Sequence, residues 1–124
     1  MQDGSKFRRL PEANATSASA GGSTVTLTVD GRRIEARASD TVAAALLAAG
    51  VTVCRTTPVS GAPRAPYCMM GVCFECLVTV DGVGNRQGCL IPVREGMQVQ
   101  VQHGKRRLDE PALHHAAHHA QEVR

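Results

Sequence analysis

Four of the five cysteines in this chain follow a fixed spacing, C-x4-C-x2-C-x12-C, through Cys68, Cys73, Cys76 and Cys89. If they act as one unit, the stretch Leu77 to Gly88 must leave the loop and bring Cys89 back to the other three. The rest of the composition shows why such a staple is needed. The chain has 124 residues and an apolar content of 43%, but only two Phe, one Tyr and no Trp. A domain this small, with a core of Val, Leu, Ile and Ala, is marginal without a cross-link or a metal. Residues 1–10 are polar and basic and carry no apolar stretch of the kind a secretory signal needs. The chain is therefore expected in the reducing cytoplasm, where clustered cysteines bind metal or do redox chemistry rather than form disulfides. The longest apolar run, Val42 to Ala49, is far too short to span a membrane. A net charge of +3, scattered and without interleaved aromatics, offers nucleic acid no footprint.

Hydrophobic periodicity places one domain at 23–104, between a flexible tail at 1–22 and a second tail at 105–124. The first tail turns Ala/Ser/Gly-rich from Ala13 to Gly22 and has too little apolar surface to offset its ordering entropy. Val25, Leu27 and Val29 alternate with polar residues, Asp30-Gly31 marks a hairpin turn, and Ile34 and Ala36 keep the alternation on the return. Ser39-Asp40 is expected to cap a helix over Thr41 to Ala49, with Val42, Ala45, Leu46 and Ala49 on one face and Gly50 as its stop. Cys54 to Tyr67 carries Pro58, Gly61, Pro63 and Pro66 and is expected to be loop. Strands are expected at Leu77–Val80, turned by Asp81-Gly82, at Leu90–Val93, and around Val99 and Val101. The order β-β-α, long loop, β-β-β is that of an α+β fold of the β-grasp type, in which one helix covers the sheet and a late strand returns beside the first. At the C-terminus, Asp109 and Pro111 introduce a short helix candidate running through Ala120.

C-x4-C-x2-C…C is the plant-type [2Fe–2S] spacing. A rhombic two-iron cluster is wider than a single ion, so the loop carrying its first ligands must wrap the sulfides. Gly71 allows this, because glycine tolerates positive φ and can bring its amide close. Backbone amides converging there form the anion-binding concavity that a negatively charged cluster requires. Structural zinc is the competing reading, but zinc ribbons bring their ligands as two C-x2-C pairs, and only Cys73 and Cys76 form one here. A Rieske centre would need two histidines in place of two of these cysteines, and none is suitably placed. Cys54 lies outside the spacing and is expected to be a buried structural thiol. His114/His118 and His115/His119 have i, i+4 spacing but stand in an Ala-rich terminal tail, so a solvated or partner-docking role is expected. His103 has no motif around it.

A [2Fe–2S] centre carries one electron at a time, whereas oxidation of an organic substrate removes two, and flavin is the usual device for splitting the pair. The chain has no G-x-G-x-x-G fingerprint, phosphate loop or Ser/His/Asp constellation, so it is expected to be non-catalytic alone. Diffusible ferredoxins of this type tend to be acidic. Here Arg55, Arg64, Arg86 and Arg94 oppose Glu75, Asp81 and Glu95, which favours a fixed subunit over a free-standing ferredoxin.

The run Arg55 to Val78 (RTTPVSGAPRAPYCMMGVCFECLV), with Asn85 to Cys89 and Pro92 to Met97, closely resembles the small (2Fe–2S)-binding subunits of bacterial heteromeric flavin-dependent amino- and imino-acid dehydrogenases. That family includes the D-hydroxyproline dehydrogenase, opine (octopine/nopaline) dehydrogenase and hydrogen cyanide synthase types. The resemblance covers about Val25 to Val101. It implies a [2Fe–2S] cluster on Cys68, Cys73, Cys76 and Cys89, and FAD on two flavoprotein partner subunits, one of them resembling amino-acid oxidases. The gap before Cys89 is shorter than in photosynthetic ferredoxins. The second, four-cysteine helical domain of the molybdenum hydroxylase subunits is absent from the sequence.

Overall fold

The alternating Val/Thr run forms strand β1 (Thr24–Val29), which pairs antiparallel with β2 (Arg32–Arg37) in the register Leu27↔Ile34 and Val29↔Arg32. Asp30 and Gly31 both take positive φ, +49° and +81°. That is the twist a two-residue hairpin turn requires. The period-2 pattern turns Leu27, Val29, Ile34 and Ala36 into the core, as expected from the sequence. The computed structural model describes residues 6–10 and 22–108. The C-terminal helix candidate from Asp109 to Ala120, the pairs His114/His118 and His115/His119, and most of the expected N-terminal tail lie outside the described residues. Within 6–10, Arg9 pairs with Asp40, and the Leu10 carbonyl accepts a hydrogen bond from Arg37 at 3.2 Å.

Helix α1 (Val42–Ala48) buries Val42, Ala43, Ala45 and Leu46. Its N-cap is Thr41, one residue later than the expected Ser39-Asp40 cap, and Thr41 Oγ1 accepts from the Ala44 amide at 3.2 Å. Asp40 is engaged elsewhere: its carboxylate accepts from the Arg37 amide and its carbonyl from the Val93 amide. At the other end the Gly50 amide donates to Leu47 and the Val51 amide to Leu46, the paired bonds of a Schellman stop. The remaining free amides of the first turn have a particular use. Val42 donates to the Ile91 carbonyl and Ala43 to the Gly88 carbonyl, so the helix start grips the chain on both sides of Cys89.

The rest of the sheet is built from β3 (Arg55–Thr56), β4 (Pro63–Arg64), β5 (Leu77–Val80), β6 (Val83–Gln87) and β7 (Gln98–His103). β7 is hydrogen-bonded to three strands: parallel to β1 and to β3, and antiparallel to β5. The last strand lying parallel beside the first, with one helix among the described residues, gives the α+β, β-grasp arrangement expected from the sequence. Three details differ from the expectation. The stretch read as loop contains the two-residue pair β3–β4. A strand forms at Val83–Gln87, held by pairing with β5 despite having no alternation of its own. Leu90–Val93 is not a strand; only a Thr41↔Pro92 bridge forms, because its backbone groups bond the start of α1 and Asp40 instead.

Candidate metal centre

The loop between β4 and β5 carries three of the four spaced cysteines, and the turn after β6 carries the fourth. The thiols gather two and two. The Cys73 thiol donates to Cys68, and both are partly exposed; the Cys89 thiol donates to Cys76, and both are buried. Among the described residues no three His, Cys, Asp or Glu side chains are drawn together as a single ion requires.

Local backbone conformation aims amides at the sulfurs. The Met70 amide lies 3.4 Å from Cys68 Sγ, the Glu75 amide 3.4 Å from Cys73 Sγ, and the Cys89 amide 3.4 Å from Cys76 Sγ. The Met70 amide, assisted by those of Val72 and Cys73 and by the Cys73 thiol, holds the Cys68 thiol well below its ordinary range, at about 6. Burial and the neighbouring Cys76 push Cys89 upward, against the Gly71 amide, which pulls the other way. Successive amides at 70, 71 and 72 thus serve both thiol pairs. They form the kind of backbone concavity that binds anions.

This geometry needs unusual backbone. Gly71 sits at φ +87°, and a Cβ there would lie 2.7 Å from Leu90 Cδ1. Gly88 admits another close approach: a Cβ would meet the Cys76 carbonyl at 3.1 Å, where the Gly88 amide itself donates to that oxygen. Met69 and Phe74 also take left-handed φ, both +58°. Gln87 Nε2 holds the Gly71 carbonyl at 2.9 Å. Arg55 Nε donates to the Phe74 carbonyl at 3.3 Å, and its Nη2 meets the Glu75 carboxylate at 3.2 Å. Sequence reading noted Arg55 only as a charge opposing Glu75; it missed its bond to the Phe74 carbonyl, Gln87 as a support of the loop, and Leu90 as the neighbour of Gly71.

The donor set suits a thiolate-ligated, negatively charged group wider than one ion: four thiols in two pairs, ringed by inward amides. Cys54 is not among them. It is fully buried, and burial together with the charge of Cys76 pushes its thiol up to about 12, so it stays protonated. His103 ends β7, exposed and away from any motif.

Among the described residues, a mixed sheet, one helix and this cysteine loop define an iron–sulfur electron-transfer domain. Residues 22–104 match the 2Fe-2S iron-sulfur cluster binding domain family, and the chain belongs to it. It is similar to hydrogen cyanide synthase subunit HcnA of Pseudomonas protegens, at 36% identity over 90 residues covering 72% of this chain and 84% of that subunit. It is also similar to hydrogen cyanide synthase subunit HcnA of Pseudomonas aeruginosa, at 35% identity over 78 residues covering 63% of this chain and 74% of that subunit. Among solved structures, L-proline dehydrogenase from P. horikoshii superimposes with a TM-score of 0.57 and 28% identity over 66% of this chain. The match spans 16% of that longer chain. Among the described residues, no helix is long and apolar enough to cross a membrane.

Proposed function

We propose that Cys68, Cys73, Cys76 and Cys89 hold a [2Fe–2S] cluster, and that the chain is the one-electron relay subunit of a flavin-dependent dehydrogenase oxidising the C–N bond of an amino acid, imino acid or opine. The observation that carries this reading is the arrangement of the thiols in two amide-ringed pairs, one buried and one reaching the surface. When bound, the cluster supplies one-electron transfer at a fixed position. The chain's own residues hold the thiolates, keep water from the inner pair and present the outer pair to a partner.

The surface around the outer pair supports a fixed subunit. Tyr67 is 84% exposed and Phe74 55%, and Met69, Met70, Val72 and Leu90 are exposed beside them. In a chain with three aromatic residues, two are spent on this rim and none on the core. Apolar, Met-rich and aromatic rims mark protein contacts. The one carboxylate on the loop, Glu75, is already paired with Arg55 and Arg64, so among the described residues the loop presents no acidic face for a diffusing encounter. The substrate class is supported by the L-proline dehydrogenase match, and the subunit role by the hydrogen cyanide synthase subunits. The occupants of the rim in this reading are two FAD-carrying subunits, one of them amino-acid-oxidase-like, in the cytoplasm. Residues 23–104 form the cluster-holding unit.

The test is purification of the tagged full chain from its native host. A red-brown complex with two flavin-containing polypeptides, a rhombic paramagnetic resonance signal on reduction, and dye reduction driven by an amino or imino acid are expected. A colourless protein with one zinc per chain would overturn the reading in favour of a structural zinc module. An iron-loaded monomer exchanging electrons with a soluble reductase would make it a free-standing ferredoxin.

A further inference from the structure

Among the supports of the cysteine loop, Arg55 has the most specific geometry. The Phe74 carbonyl and the Glu75 amide are the two ends of one peptide unit. Arg55 Nε donates to the oxygen end at 3.3 Å, while the nitrogen end donates to Cys73 Sγ at 3.4 Å. A cation at the carbonyl polarises the peptide so that its N–H becomes a stronger donor to sulfur, since hydrogen bonds in a chain reinforce one another. The same guanidinium reaches the Glu75 carboxylate at 3.2 Å, and Arg64 reaches that carboxylate at 3.7 Å. Arg55, Glu75 and Arg64 therefore sum to one net positive charge next to the outer thiol pair. The Arg55 side chain is only 16% exposed, so solvent screens that charge incompletely. Its backbone is anchored as well, because Arg55 pairs with Arg64 in β4 and with Gln102 in β7.

We propose that Arg55 is a positioning residue for the iron–sulfur centre, which raises its reduction potential by pinning the Phe74–Glu75 peptide against Cys73 and leaving a positive charge beside the outer thiolates. The inference rests on the ligand assignment above. Two ferric ions, two sulfides and four thiolates sum to a dianion. One electron, supplied by a reduced flavin of the partner, would take one ferric ion to ferrous and the whole to a trianion. A nearby cation and a strengthened N–H to sulfur both stabilise the more negative form. Hydrogen bonds to the sulfurs and local net charge are recognised determinants of the potential of such centres.

The experiment is a dithionite titration of the iron-loaded full chain, followed by paramagnetic resonance, for wild type, Arg55→Gln, Arg55→Lys and Glu75→Gln, with thermal unfolding in parallel. Arg55→Gln should move the midpoint to more negative values, and Glu75→Gln should move it to more positive ones. Arg55→Lys keeps the charge but cannot bridge carbonyl and carboxylate as the planar fork does. It should fall between wild type and Arg55→Gln, with altered g-values. Midpoints of Arg55→Gln and Glu75→Gln that stay with wild type, or that shift in the same direction, would overturn the proposal. If Arg55→Gln does not retain its cluster, Glu75→Gln decides alone: the absence of a positive shift refutes the charge effect. A wild-type chain that binds no iron would overturn the ligand assignment itself, a result separate from unchanged midpoints in loaded protein.

Discussion

Replacing Gly71 with alanine tests whether the cysteine loop is held by backbone conformation or by packing. An L-residue at φ +87° carries about 1–2 kcal/mol of steric cost. The new Cβ would also lie 2.7 Å from Leu90 Cδ1, a side-chain end that can yield. Moving it off its rotamer costs on the order of 0.5–1.5 kcal/mol. Together these give about 1.5–3.5 kcal/mol, or on the order of a ten- to three-hundred-fold shift in the equilibrium between closed and open loop. The assay is the rate at which the visible absorption of iron-loaded full chain bleaches under excess chelator, read beside urea unfolding. Leu90→Ala alone should change little, because Leu90 is 55% exposed. Adding Gly71→Ala to Leu90→Ala removes the clash and keeps the backbone cost, so about 1–2 kcal/mol should remain. A Gly71→Ala chain that bleaches at the wild-type rate would refute the reasoning. Full recovery in the double variant would refute its backbone half.

Other substitutions probe separate links. Thr41→Ala removes the acceptor for the Ala44 amide and should lower unfolding free energy by about 1 kcal/mol in urea titrations. Cys54 stays protonated when folded up to about 12 and ionises near 9.0 when unfolded, so it favours the unfolded chain as pH rises through that window. Its contribution should fall by about 1.4 kcal/mol per pH unit across the window. Urea midpoints of wild type at pH 8.5 and 10.5 should therefore diverge more than those of Cys54→Ala, and equal divergence would contradict the burial account. Cys73→Ser should lose iron and labile sulfide on elemental analysis, whereas Cys54→Ser should keep both; loss of iron from the latter would redraw the ligand set.

The elements that could be read from the chain are those whose own side chains carry a period. β1, β2 and β7 alternate, and α1 repeats its apolar positions with a Schellman stop after it. β3 and β4 have two residues each, too few to show any period, and β6 owes its conformation to β5 rather than to its own Gly84, Asn85 and Arg86. Leu90–Val93 misled for the converse reason. It is apolar because Leu90 covers Gly71 and Val93 enters the core, not because it joins a ladder. At the site, the four-cysteine spacing stood out because ligand chemistry restricts it. The left-handed backbone at Met69 and Phe74 did not, since nothing in a methionine or a phenylalanine announces positive φ. Nor did the bond from Arg55 to the Phe74 carbonyl, nineteen residues further along, although the charges of Arg55 and Glu75 were visible.

The central place of β7 has a consequence for biogenesis. Synthesis runs from the N-terminus, so every thiol from Cys68 to Cys89 leaves the ribosome before Gln98–His103, the strand that joins β1, β3 and β5. Contacts this distant in sequence form late, after the loop-closure entropy between them has been met. On the ligand assignment proposed above, the nascent chain would display its four spaced thiols on an unfinished scaffold, open to oxidants and to stray ions. The scaffold that positions those thiols is complete only once β7 has been made, so on that assignment stable loading with iron would await the last strand.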